Sequence, residues 1–272
     1  MERGEPVAGQ PGISPLRRAR HRLRTCLSEY PAVYLPFARH KYPGPSPEVI
    51  GSQTELVIDG YTRSGTTFAV YAFQLCQDKP VRLAHHLRAS AQLLTAARNG
   101  VPALALIRKP QGAILSQLIR EPDVALRDAL AAYSHFYGRL LPYRERFVVG
   151  EFELVTHDFG AVIRRLNEHF GTSFAEFTHT DATMRECFQL IELRGTLSAT
   201  LLGFESGIVT RDQMDRELQA LARSPALDAR DAWIPSADRE RAKVALSEQW
   251  QRPSLARLRH QAEQVYQQFR AG

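Results

Sequence analysis

Residues 56–68 read LVIDGYTRSGTTF, and the fold assignment turns on how that stretch is parsed. Strand-like LVID runs into Gly60; a cation, a serine, a second glycine and two threonines then lead into an apolar run. A strand, a glycine-hinged loop and a helix in that order make a cradle for an anion. Gly60 permits a sharp turn, and Gly65 lets backbone N–H groups approach a ligand with no Cβ in the way. The N–H groups of residues 64–67 open the helix, whose dipole adds positive potential. Arg63 adds a cation; Thr66 and Thr67 add hydroxyl donors. The spacing of Gly60, Gly65, Thr66 and Thr67 is that of the nucleotide-binding P-loop, with Thr66 where that loop has lysine. The missing lysine argues against magnesium–ATP chemistry, and so does ALALIRKP, which ends in cations where a metal-binding acid would stand. The plain alternative is a glycine turn that binds nothing.

Outward from this stretch the pattern alternates. ELVIDG, KPVRLAHH, VPALALIR and RFVVGEFELV read as strands. TTFAVYAFQLCQ, ASAQLLTAARNG, PQGAILSQLIR, DVALRDALAAYSHFYGRLLPYR and FGAVIRRLNEHFG read as helices, with Asn-Gly or Gly as stops and Pro110 as a start. The expectation is an α/β fold: a parallel sheet flanked by helices, with ligands at the carboxyl ends of the strands. From about residue 180 only helical periodicity remains, with Ser236 and Ser254 as N-cap or first-turn residues. This part is expected to wrap the sheet and cover the ligand. Residues 1–50 read as a tail and a basic helix, and 51–272 as one α/β domain.

Hydrophobic residues make up 44% of the 272, enough for a sizeable core. The longest apolar runs are far shorter than the roughly 20 residues of a membrane span, and the N-terminus lacks a secretory pattern. A soluble cytoplasmic protein is expected. Cys26, Cys76 and Cys187 lack metal-ligand spacing and read as reduced thiols. With 35 Lys and Arg against 29 acids, the net charge of +6 favours anionic ligands but is too mild for a nucleic-acid binder. The densest positive block, SPLRRARHRLRTC (14–26), reads as a solvated helix face, with a peripheral membrane contact or an acidic partner as the lesser reading.

The third strand sharpens the anion reading. In LIRKPQGAILSQLIR, Arg108 ends the strand and Ser116 follows eight residues later, about two turns into a helix. An arginine fork and a hydroxyl converging there make a second phosphate site.

YTRSGTTF resembles the 5′-phosphosulfate loop of the cytosolic-type sulfotransferases. LIRKPQGAILS is similar to their 3′-phosphate segment, with the same Arg-to-Ser spacing, and VRLAHHLRAS resembles their strand ending in a catalytic histidine. The resemblance spans roughly residues 55–270 and extends to bacterial members. It implies 3′-phosphoadenosine 5′-phosphosulfate (PAPS) as donor, with no metal. Arg63, Ser64, Gly65, Thr66 and Thr67 would hold its 5′ end, and Arg108 and Ser116 its 3′-phosphate. Phe68 would either stack on adenine or serve the core. His86 would be the general base, with His85 as rival base or structural histidine.

The chain also departs from the family. Ala84 stands where many members have lysine, leaving Arg63 alone, or with His85 or Arg82, to neutralise the leaving oxygen. The usual Tyr-Glu-Asp-Leu-like stretch is degenerate at EFEL. No Arg-Lys-Gly loop is found near the C-terminus, for which Arg230, Arg239, Arg241 and Lys243 are substitutes. Glu151 and Glu153 could orient an acceptor or merely cap a strand.

The expected reaction is in-line transfer of a sulfuryl group from PAPS to a hydroxyl of a small-molecule, sugar or lipid-linked acceptor, with Arg63 and His86 as catalytic residues. The alternatives are a divergent P-loop phosphotransferase and an inactive nucleotide-binding protein.

Overall fold

The computed structural model describes residues 14–196, 198–221 and 237–271. In chain order the elements are α1 (Pro15–Leu27), α2 (Pro31–Lys41), β1 (Leu56–Gly60), α3 (Thr66–Cys76), β2 (Leu83–His85), α4 (Ser90–Asn99), β3 (Ala103–Ile107), α5 (Pro110–Arg120) and α6 (Leu126–Leu140). They continue with β4 (Val148–Glu151), α7 (Phe152–His157), α8 (Phe159–Phe170), α9 (Asp181–Leu193), α10 (Ala199–Glu205), α11 (Arg211–Leu221), α12 (Ala237–Trp250) and α13 (Ala256–Ala271).

The four strands form one parallel sheet in the order β2-β1-β3-β4. Every residue of β1 and β3 is buried, as a parallel sheet covered on both faces requires. Alternation sends Val57, Ala103, Ala105, Ile107 and Val149 to one core, with α2, α4, α5, α6 and α13. Leu56, Ile58, Leu104, Leu106 and Val148 go to the other, with α3, α8, α9 and α10. In register, Ile58 faces His85, Gly60 faces Leu106 and Ile107 faces Glu151, so the carboxyl ends of all four strands share one edge.

The strand expected through EFELV stops at Glu151, and Phe152–His157 is helical. The cause lies in the neighbour: β3 ends at Ile107, the partner of Glu151, so a longer β4 would carry unpaired backbone. α2 is also new. Despite prolines at 31 and 36, Tyr34, Leu35 and Ala38 bury against the core beside α4. Residues 14–50 are thus packed on the α/β body: α1 lies on α6, α2 on α4, and Glu48 bridges His85.

The C-terminal helices divide between the two faces rather than forming one cover. α9 and α10 pack on α3; α12 packs along α5, and α13 on α6 and α5. Ser254 lies inside a short 3-10 turn, Pro253–Leu255, whose N-cap is Arg252, and Ser236 lies outside the described residues.

Candidate functional site

β1 delivers the chain to the loop through a glycine that nothing else can replace. A Cβ on Gly60 would stand 2.4 Å from the Leu106 carbonyl oxygen. Beneath it the buried Asp59 carboxylate accepts hydrogen bonds from Gly60 N–H (2.9 Å), Arg88 N–H (3.1 Å) and Gln92 Nε2 (3.1 Å). Burial nevertheless pushes its pKa up to about 7. The loop then turns through two left-handed residues, Arg63 (φ 66°) and Gly65 (φ 93°). Gly65 is the N-cap of α3, so the N–H groups of the first turn, from Thr66, have no intrahelical partner. Ser64 differs from expectation. It is fully buried, its N–H bonds the Tyr61 carbonyl (3.2 Å), and its hydroxyl meets Tyr137 Oη (3.3 Å), so both groups serve the loop's own shape.

The two anion segments meet. Arg63 Nε donates to Ser116 Oγ at 2.9 Å, and Arg108 Nη1 donates to the Arg63 carbonyl at 3.3 Å. Tyr133 Oη holds the Arg108 carbonyl at 2.7 Å. The Arg108 guanidinium lies 3.8 Å from the centre of the Phe152 ring, a cation–π contact that aims the fork. Phe152, in the degenerate EFEL stretch, escaped the sequence reading. Its ring also abuts Gly65, where a Cβ would stand 3.1 Å away.

The third component is a histidine relay. His86 follows β2 with φ 59°, an uncommon conformation for a side chain of its size, and its Nε2 lies 3.1 Å from Thr67 Oγ1. Its Nδ1 lies 2.7 Å from His85 Nδ1, and His85 Nε2 lies 3.1 Å from Ser206 Oγ. The Ser206 hydroxyl donates to the Pro45 carbonyl at 2.5 Å. A carbonyl only accepts, so this network assigns every proton in turn. Ser206 has given its hydrogen to Pro45, so His85 Nε2–H donates to Ser206. Neutral His85 then has a bare Nδ1, which accepts from His86 Nδ1–H. Neutral His86 keeps its lone pair on Nε2, facing Thr67 at the start of α3.

Behind the pair sits Glu205, with one oxygen 3.8 Å from His86 Nδ1 and 4.0 Å from His85 Nδ1. Arg194 holds both oxygens of that carboxylate, at 2.5 and 3.3 Å. Burial, then the Arg194 charge, lowers the His85 pKa to about 3. Burial, Arg194, His85 and Arg88 hold His86 well below the ordinary imidazole value. The ligating atoms of His85, His86 and Glu205 lie within 4.8 Å of one another, as in a metal cluster. The two Nδ1 atoms are also in direct contact, and Arg194 holds the carboxylate.

The remaining candidates fall out by position. Phe68 is 6% exposed and sits among Phe159, Phe177, His179 and Phe188, the core role of the two open to it. Ala84 is fully buried, and His85 lies behind His86, bonded to Ser206. Arg82 is exposed, with its N–H on Glu55. Glu151 lies near Tyr266 Oη (3.5 Å) and Arg270 (3.7 Å) of α13, while Glu153 is exposed. Arg241 and Lys243 ride on α12, which packs along the helix carrying Ser116. Arg230 and the Arg239 side chain lie outside the described residues. In comparison with known proteins, no family model, curated protein or solved structure matched the chain.

Proposed function

We propose that the protein is a PAPS-dependent sulfotransferase acting on a hydroxyl acceptor. One observation carries the reading: the bare Nε2 of His86 faces Thr67 at the mouth of the same loop whose Arg63 bonds Ser116. That supports reading His86 as a base beside one anion site that is coupled to a second, as a nucleotide with charge at both ends needs.

In this reading the 5′-phosphosulfate lies over the first turn of α3, against Arg63 and the Thr66 and Thr67 hydroxyls. The 3′-phosphate lies by Arg108 and Ser116. The acceptor oxygen attacks sulfur and passes its proton to His86 Nε2. The bond from sulfur to the bridging oxygen breaks, and the electron pair leaves with the 5′-phosphate of 3′-phosphoadenosine 5′-phosphate (PAP). Arg63 and the helix N–H groups meet that growing charge, the logic of an oxyanion site. Glu205, 3.8 Å from His86 Nδ1, favours the imidazolium formed at that moment.

Thermal shift tests the reading. PAP raises the melting temperature without added metal, and ATP with magnesium does so less. Incubation with sulfur-labelled PAPS and cell extract then yields a labelled product, identified by mass spectrometry. A shift with magnesium–ATP and none with PAP would favour a phosphotransferase. A shift with PAP but no labelled product from any extract would favour an inactive binding protein.

A further inference from the structure

We propose that the outer face of α1 and α2 docks on an anionic lipid surface. α1 is held to the body by charge: Arg18 and Arg22 bond Asp128 at 3.0 and 2.8 Å, Arg17 pairs with Asp123, and no α1 residue is buried. Its leucines therefore do nothing for the fold. Leu16, Leu23 and Leu27 are 78%, 59% and 37% exposed. At about 100° per residue they fall within about 40° of one another, and more than about 100° from Arg18 and Arg22. The leucine line thus faces away from the protein.

α2 extends the surface. It turns Tyr34, Leu35 and Ala38 inward and leaves Tyr30, Val33 and Phe37 at 47%, 55% and 54% exposure. Residues 15–41 carry seven Arg and Lys against one acid, Glu29. Glu29 is itself buried and occupied by His135 (3.1 Å) and Arg139 (3.3 Å). On the α1 wheel, Arg20 and Arg24 follow one side of the leucine line, Arg24 with its Nε 3.4 Å from Tyr34 Oη, and Lys41 Nζ lies 5.7 Å from the Phe37 ring.

An apolar line edged by cations is what a helix lying in a headgroup layer presents. A second copy fits worse, because a two-fold contact would set Arg20 and Lys41 against the same cations of the other copy, while Arg17, Arg18 and Arg22 are paired on the opposite side. A nucleic acid would use the arginines and leave the leucines idle.

The test uses the full chain and sedimentation with vesicles of phosphatidylglycerol and phosphatidylcholine, against phosphatidylcholine alone. Binding to the anionic vesicles is expected to be tighter by at least about tenfold and to weaken with salt. The paired change Leu23→Glu with Phe37→Glu abolishes it. Arg20→Gln with Lys41→Gln weakens it by roughly fivefold per cation removed. All four positions are exposed, so both variants keep the wild-type melting curve. Equal binding to the two lipids, or full binding by the Leu23→Glu, Phe37→Glu variant, overturns the proposal. So does a dimer in analytical ultracentrifugation that this variant dissolves, which would make the face an interface between copies. None of these measurements involves sulfuryl transfer, so their failure would leave the transferase reading untouched.

Discussion

The two parts of the candidate site are built by opposite means. At the anion end, Arg63 and Arg108 are half-buried cations that touch Ser116, Phe152 and the Arg63 carbonyl. At the imidazole end, His85, Glu205 and Ser206 are all but inaccessible, and each meets another polar group of the protein. A site that grips charge needs cations within reach of solvent, and both guanidinium side chains are only half-buried. A site that takes a proton needs one lone pair aimed and every other polar atom satisfied, because an unpaired buried group is costly.

That contrast predicts a clean separation of phenotypes. His86→Ala should cut transfer by about 10²–10⁴-fold, the usual worth of a positioned base, while PAP still raises the melting temperature as in the wild type. In the wild-type enzyme, the acid limb of kcat/KM should lie below the ordinary imidazole pKa of about 6.5, because burial and the Arg194 charge both disfavour the imidazolium. A pH–rate profile reads the limb directly. If His86→Ala loses PAP binding along with turnover, the two ends are one unit and the division fails.

The same contrast explains what could be read from the chain. The anion end comes from two short segments, each carrying its own pattern: glycines at a strand-to-helix turn, and an arginine at a strand end followed by a serine two turns into a helix. The sheet and its first helices follow from periodicity alone, because parallel strands buried on both faces are continuous apolar runs. Glu205 and Ser206 carry no such pattern. They close a short helix and meet His85 only because α10 packs on α3, a contact across more than a hundred residues. Arg194 likewise reads as a helix-end cation until Glu205 is in place. Phe152 was lost to the end of β3, which cuts β4 short and turns EFEL into a helix. α2 likewise carried no pattern of its own in the sequence and takes its place from the α4 face that it packs on.

Breaking the buried pair tests the imidazole end next. Arg194→Met leaves the Glu205 carboxylate buried without its guanidinium and should cost roughly 3–5 kcal/mol at pH 7.5 by chemical denaturation. The pH slope should then change sign. In the wild-type protein the folded pKa of His85, about 3, lies below the unfolded value of 6.5. Between those values the unfolded chain binds more protons, so this contribution to stability is present above pH 6.5 and lost as pH falls. In the variant, one imidazole can take a proton and replace the missing guanidinium beside Glu205. Lowering the pH from 7.5 to 6 should then restore part of the loss. A variant that weakens further on acidification would show that Glu205 is not coupled to the histidines.

The smallest expected effect falls on Ser206, 2.5 Å from the Pro45 carbonyl that fixes the whole proton order. Ser206→Ala removes the acceptor for His85 Nε2–H. If that hydrogen stays, a buried donor is left unsatisfied, at a cost of about 1–3 kcal/mol. If it moves to Nδ1 instead, it faces the hydrogen on His86 Nδ1 at 2.7 Å, and His86 must shift its own to Nε2. The base would then point a hydrogen, not a lone pair, at the acceptor. The variant should therefore lose about 1–3 kcal/mol of stability. It should also lose turnover with PAP affinity intact, and Ser206→Thr, which keeps the hydroxyl, should recover both. Nitrogen-15 spectra of the imidazoles follow the cause: His86 is Nδ1–H in the wild type and shifts toward Nε2–H in Ser206→Ala. Unchanged His86 signals together with full turnover would reduce the relay to packing and leave His86 aimed by Thr67 and its own backbone.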